Sequence, residues 1–204
     1  MSACCSDSGC SGTGRTPGDG YGKVLAWALA LNLALFFIEI GGAYTSHSVS
    51  LLADAIDFLG DSINFGASLL VLGMAKMWSS RLALAKGLVM SGWGILVLVR
   101  AAFAYQSGVV PVHETMTWIS ILALATNGLV AFMLFRHRKG DANRSSVWLC
   151  ARNDAFANVT VILAAQAVAY TSAGWPDILA AMILAGLGIS SGLTVIKKAL
   201  AELK

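Results

Sequence analysis

The sequence predicts an all-α membrane protein: six transmembrane helices with both termini in the cytoplasm. Three observations carry this expectation. The 204-residue chain is 57% hydrophobic and only 12% charged, about half the charge of an ordinary soluble domain. Its apolar residues gather into six stretches, each near the ~20 residues a helix needs to cross a bilayer. Lys and Arg cluster in alternate connections between these stretches, the asymmetry that orients a membrane protein.

Residues 1–20 are a different material. Ser, Gly, Thr and Asp dominate there, with Cys4, Cys5 and Cys10. Such a segment cannot bury an apolar core and reads as a disordered cytoplasmic tail. In a reducing compartment its thiols are available for metal capture rather than disulfides. Tails tolerate almost any composition, so an inert tail is weighed equally.

Residues 21–200 are expected to form the six-helix domain. The first stretch, 24–44, follows Arg15 and Lys23 and contains Glu39. It is too long and starts too late for a cleaved signal peptide. The second, 51–75, carries Asp54, Asp57 and Asp61, and is followed by Lys76, Arg81 and Lys86. The third, 82–105, holds Gly87, Ser91, Gly92 and Gly94, with Arg100 near its end. The fourth, 116–135, leads into Arg136, Arg138, Lys139 and Arg144. The fifth, 147–171, contains Cys150, Arg152 and Asp154. The sixth, 178–196, follows Trp175-Pro176-Asp177, where Pro and an acid suit the first turn of a helix. Gly188 and Gly192 in it are spaced for close helix packing, with the third stretch as the partner. Lys197, Lys198 and Lys204 follow, and residues 201–204 are expected to be a short end without a soluble domain. The connections around His47, His113 and Gly174 contain no Lys or Arg and are assigned to the outside. Trp78, Trp93, Trp118, Trp148 and Trp175 read as anchors at the membrane interfaces.

The acids inside these stretches carry the functional information. Each ionisable group at bilayer depth costs about 2.5–3.5 kcal/mol, so a chain keeps it when it binds something. Asp57 and Asp61 are spaced i, i+4, as are Cys150 and Asp154, so each pair shares one helix face. Counted from Ser50, the first pair lies about 10 and 16 Å down its helix. Counted from Ser146, the second lies about 6 and 12 Å up its own. The pairs can therefore meet near mid-membrane. Three carboxylates and a thiol suit a tetrahedral Zn2+-like ion. The thiolate tilts the set towards Cd2+, while Mg2+ or Ca2+ would want more oxygens. A lone Cys is commonly a small buried hydrophobe; the i, i+4 relation to Asp154 favours the ligand reading for Cys150.

Other polar residues are less decisive. Asp54 shares the face of Asp57 and Asp61 and is either an accessory carboxylate on the release path or a helix-start acid facing water. Glu39 lines the pathway or is a hydrogen-bonded structural acid. Asn32, Asn64, Asn127, Asn153 and Asn158 read as interhelical glue by default. Arg152 points away from the Cys150–Asp154 face. His47, His113 and His137 fall in loops and read as solvated residues.

The exclusions are plain. There is no Gly-rich phosphate loop and no Ser and His arrangement for nucleophilic attack, so neither an enzyme nor an ATP-driven pump is expected, and no cofactor. No basic, aromatic-interleaved surface suggests nucleic acid.

Two segments resemble a known family. Ser50-Leu-Leu-Ala-Asp-Ala-Ile-Asp-Phe-Leu-Gly-Asp61 is similar to the second-helix signature of the cation diffusion facilitators, and Cys150-Ala-Arg-Asn-Asp-Ala-Phe-Ala-Asn158 to their fifth-helix signature. The resemblance covers roughly residues 22–200. It implies a proton-coupled exporter of divalent transition-metal ions, usually a homodimer, in the cell membrane (the inner membrane in a bacterium). By motif position it implies transport-site ligands at Asp57, Asp61, Cys150 and Asp154, with Asp54, Cys4, Cys5 and Cys10 as accessory candidates. The family often has His at the position of Cys150, which puts its usual zinc preference in question. It also usually carries a cytosolic metal-sensing domain after the sixth helix. None is expected here, so the implied dimer would form through the membrane region.

The expected function is metal-for-proton antiport, exporting Zn2+, Cd2+ or Co2+ from the cytoplasm. A membrane metal chaperone or sensor is the competing class, since it would hold metal without moving it; opposed ligand pairs on two spanning helices favour transport. A mercury or lead transport component is suggested by the Cys-rich tail, but it would call for paired Cys inside the membrane.

Overall fold

The computed structural model describes residues 20–70, 76–135 and 142–202. Six α-helices stand in them: α1 (Tyr21–Ser46), α2 (Val49–Leu70), α3 (Lys76–Ser107), α4 (His113–Phe135), α5 (Ala142–Thr171) and α6 (Trp175–Glu202). The six expected stretches each map onto one helix, and no strand occurs among the described residues. Even α2, at 22 residues, is about 33 Å long, enough to cross the hydrocarbon core of about 30 Å. The chain is a multi-pass membrane protein.

Four helices contain segments apolar enough to span on composition alone: Gly22–Ser46, Gly87–Ser107, His113–Phe135 and Trp175–Ala201. α2 is not among them, and within α5 the segment Ala157–Thr171 is apolar. In α2 every 18-residue window contains all three aspartates.

The helices run past the apolar stretches at several ends. Lys76 opens α3, Arg81 and Lys86 lie inside it, Arg144 lies inside α5, and Lys197 and Lys198 lie inside α6. The expectation that these cations occupy loops is corrected: several sit on helical extensions. A helix satisfies its backbone internally and need not stop at the membrane boundary, and long basic side chains reach from helix ends towards water.

α2 is the central helix and packs against α1, α3, α5 and α6. From Val49 to Ile56 every residue is buried. Leu51, Ala53, Val97, Met116, Val161, Ala165 and Ala181 form the main core around it. A second cluster joins Leu25 and Ala28 to Phe65, Val130 and Leu134. It ties α1, α2 and α4 together towards the opposite end.

α3 and α6 make the closest backbone approach. A Cβ on Gly87 would stand 2.8 Å from the Gly192 carbonyl oxygen, and one on Gly94 would stand 3.2 Å from that of Ala185. No side chain fits there, so glycine sets the seam. Gly188 faces Ile56 of α2 instead. The expected Gly188/Gly192 face is therefore split between two partners. Trp93 also departs from expectation. Its indole Nε1 donates to the Leu52 carbonyl at 3.0 Å, so it braces α3 against α2 instead of anchoring at an interface. Trp118 and Trp175 are exposed near helix starts, where anchors belong.

The three connections without Lys or Arg lie at one end of the bundle, the outer end by the charge asymmetry, and they interlock. His47, in the left-handed conformation at φ 56°, turns the chain from α1 towards α2. The Val112 N–H donates to the Ser46 carbonyl at 2.9 Å. Gly174 lies so close to the Val109 carbonyl that a Cβ would stand 2.6 Å from its oxygen. Asp177 belongs to the first turn of α6, as expected, but its carboxylate serves α2. It accepts from Ser48 Oγ at 2.6 Å, Val49 N at 2.7 Å and Ser50 N at 3.1 Å. Ser48 Oγ in turn accepts from Leu51 N at 3.1 Å. The first N–H groups of α2, which lack partners in their own helix, are thus capped partly from within and partly from α6.

Candidate cation site

The site is built on α2 and α5, which pack against each other. α2 displays Asp54, Asp57 and Asp61 at i, i+3 and i+7, one stripe of a helix. Measured from Val49, where α2 begins, they lie about 7, 12 and 18 Å from its outer end. α5 begins at Ala142, four residues earlier than the reading from Ser146 assumed. Asp154 therefore lies about 18 Å from the start of its helix.

Burial separates these acids. Asp54 and Asp61 are buried, whereas Asp57 and Asp154 are half-buried. Asp57, Asp61 and Asp154 each interact with neighbouring groups. The Cys150 side chain lies outside the described residues, as do Cys4, Cys5 and Cys10. Among the described residues no three His, Cys, Asp or Glu side chains stand together closely enough to hold a metal ion. Of the four expected ligands, the fold puts two on each of two packed helices.

Asp54 does not face water. It is 1% exposed, and the reading of a solvated helix-start acid is overturned, because α2 is sealed over its first two turns. Its partner comes from α5. The Asn158 amide is oriented with Nδ2 towards Asp54, at 2.6 and 3.1 Å from the two carboxylate oxygens, and its own oxygen accepts from Asn127 Nδ2 at 2.9 Å. All three residues are buried. Glu39 of α1, fully buried, stands beside the Asp54 carboxyl and within electrostatic reach of Asp57. Among the described residues the Asp54 carboxyl is the hydrogen-bonding neighbour of the Glu39 carboxyl. A polar chain thus crosses four helices: Glu39 on α1, Asp54 on α2, Asn158 on α5 and Asn127 on α4.

Chemically this is a lane of anionic oxygen at membrane depth, with amide donors steadying its outermost aspartate. Adjacent carboxyl groups in an apolar interior attract positive charge, whether a proton or a metal ion. Sequence reasoning saw Glu39, Asn127 and Asn158 singly and assigned the asparagines to interhelical bonding, which they make. It did not see that they converge on Asp54. The shared seven-residue spacing of Asn32 with Glu39, and of Ser120 with Asn127, is the signal that marks two polar faces turned inward. All four of these residues are buried.

Comparison with known proteins fits this architecture. Residues 25–204 match the model of the cation efflux transmembrane domain. Over 189 residues the chain is 27% identical to the cadmium, cobalt and zinc/H(+)-K(+) antiporter of Bacillus subtilis strain 168, a match covering 86% of this chain and 61% of that protein. It is 26% identical to the antiporter of the same name from Bacillus velezensis, covering 86% and 60% respectively. The chain spans about three fifths of the length of these curated relatives.

Proposed function

We propose, from the premise that this chain belongs to the cation efflux transmembrane domain family, that it is a proton-coupled antiporter exporting divalent transition-metal ions, Zn2+ and Cd2+ first among them and Co2+ alongside, from the cytoplasm. The observation that carries the reading is the pairing of α2 with α5: two packed spanning helices, each bearing aspartate at membrane depth. The substrates named for the Bacillus relatives support the choice of ions.

Asp57, Asp61, Cys150 and Asp154 are the proposed ligands. Asp57 is half-buried, and a hydrated ion would exchange its shell there; Asp154, half-buried as a residue, keeps one carboxylate oxygen enclosed. Asp54 and Glu39 continue the anionic lane outward. Metal binding requires deprotonated carboxylate and thiolate, so loading expels protons. Four ionised ligands carry −4, and a divalent ion leaves −2; a retained proton or a nearby cation must reduce that charge. The sign of the pH effect follows: acid competes with metal, so affinity falls as pH falls. A homodimer through the membrane region, in the cell membrane, completes the proposal.

The test is flux in proteoliposomes with a metal-sensitive dye on one side and a proton-sensitive dye on the other. Zn2+ or Cd2+ movement should be matched by opposite proton movement. Asp61→Ala should insert normally and lose flux, because one missing ligand leaves an incomplete shell. Cys150→His should keep Zn2+ flux and lower the Cd2+ to Zn2+ ratio, since imidazole favours Cd2+ less than thiolate does. Flux at the parent rate in Asp61→Ala would remove that residue from the site, and metal flux without proton flux across several pH values would remove the coupling.

A further inference from the structure

We propose that Asp177 is the outer latch of the transport pathway: it holds the outer end of α2 against α6 in the closed position seen here, and the cation leaves outward only when it lets go. The proposal rests on the transporter reading above.

Burial changes sharply along α2. Residues 49–56 are all buried, whereas Asp57 and Asn64 further along the same helix are half-buried. Polar groups at membrane depth are not exposed to lipid; they are exposed where water enters. Water therefore approaches α2 from the inner side, and the outer side is sealed. On the outer surface a crevice lined by Tyr44, His47 and Arg100 reaches Leu52, on the face of α2 roughly opposite Asp54.

Ser46 with Val112 and Gly174 with Val109 make the seal by joining the outer connections to one another. Asp177 alone among the described acids ties α6 to the start of α2, through three donors. It is 1% exposed, so breaking these bonds means parting the two helices.

The contact can open without unravelling α2. Ser48 Oγ caps the Leu51 N–H by itself, so α2 keeps its own cap when Asp177 withdraws. The Val49 and Ser50 N–H groups and the Asp177 carboxylate would then meet water, an exchange of hydrogen bonds with a small net cost. A purely apolar seal has no such replacement.

Two measurements test the latch. In Ser48→Cys/Asp177→Cys, oxidation should tie α2 to α6. Zn2+ flux should fall at least about ten-fold in the oxidised state and recover on reduction, as expected when one of two states is locked. Zn2+ binding by the detergent-solubilised protein should persist. The parent, treated with the same oxidant, supplies the control for its native thiols. Flux equal in the two redox states would make Asp177 a plain structural cap, and failure of the pair to oxidise would show the contact to be wrong. In the second measurement a thiol is placed by Ala53→Cys, a fully buried position one turn into α2, and a membrane-impermeant maleimide is added outside intact cells. Adding Asp177→Asn should raise labelling at least about ten-fold, since charge-assisted bonds are exchanged for weaker ones. If that variant does not reach the membrane, Ser48→Ala replaces it and is read the same way. Unchanged labelling in a folded variant overturns the proposal. Because labelling needs no transport, a parent without Zn2+ flux would sink the antiporter reading and leave the latch to be judged on its own.

Discussion

Asn158 donates from Nδ2 to the Asp54 carboxylate and accepts from Asn127 Nδ2, so it is the residue on which the outer acid depends. Replacing it with leucine keeps the volume and removes the donors. A buried acceptor left unsatisfied costs about 1–3 kcal/mol, and Asn158→Leu should lose that much in SDS unfolding of the purified protein. Asp54→Asn/Asn158→Leu should lose less than the sum of the two single changes, because the orphaned charge is gone. Strict additivity would mean that the two side chains do not interact. The case also marks what the sequence can carry. The spacing of Asp54, Asp57 and Asp61 identifies one face of one helix, and that face is real. It cannot say what lies opposite. Asn158 is more than a hundred residues away, and only the packing of α5 on α2 decides that Asp54 is enclosed. The same limit applied to Asp177: its place in the first turn of α6 was legible, whereas its service to α2 was not.

At the scale of elements, the existence of all six helices was legible, because long apolar runs in a membrane have almost no alternative to helix. Their ends were not, since a helix need not stop where hydrophobicity stops. Helix partners were legible in part. The small residues of α3 and α6 announced a close seam, but a glycine pair four residues apart does not reveal that one member faces α3 and the other α2. The seam makes a paired prediction. Gly192→Val would drive a side chain into the Gly87 carbonyl, 2.9 Å from the new Cβ. Such overpacking against backbone should cost about 1–3 kcal/mol or more. Gly92→Ala adds a methyl group where nothing lies within 4 Å. It should be neutral or stabilising by about 0.5–1 kcal/mol, the helical advantage of Ala over Gly. Parallel SDS titrations compare them. Equal effects from the two substitutions would mean that α3 and α6 are not in backbone contact.

For the whole molecule, orientation determines which end of the bundle meets the cytoplasm. Six helices place both ends of the chain on one side, and the question is which. The His47, Gly108–Val112 and Ser172–Gly174 connections carry no Lys or Arg, while Lys23, Lys76, Arg81, Arg144 and Lys197 all lie towards the other end of the bundle. Moving several cations out of the cytoplasm opposes the insertion bias, so the basic end stays inside. The structure strengthens the reading in one respect. The connections at the basic-poor end are short and interlocked, leaving little chain to be drawn across the membrane. The outer end is the enclosed one: α2 is buried over its first two turns, Asp57 beyond them is half-buried, and Asp177 ties that end to α6. A thiol introduced by His113→Cys should therefore react with an impermeant reagent on intact cells, and one introduced by Lys197→Cys should react only after permeabilisation. Both positions are exposed, so silence at either is a matter of sidedness and not of burial. Reaction of both from the same side would break the six-helix topology. A clean reversal would keep the topology and put the end held by Asp177 on the cytoplasmic side.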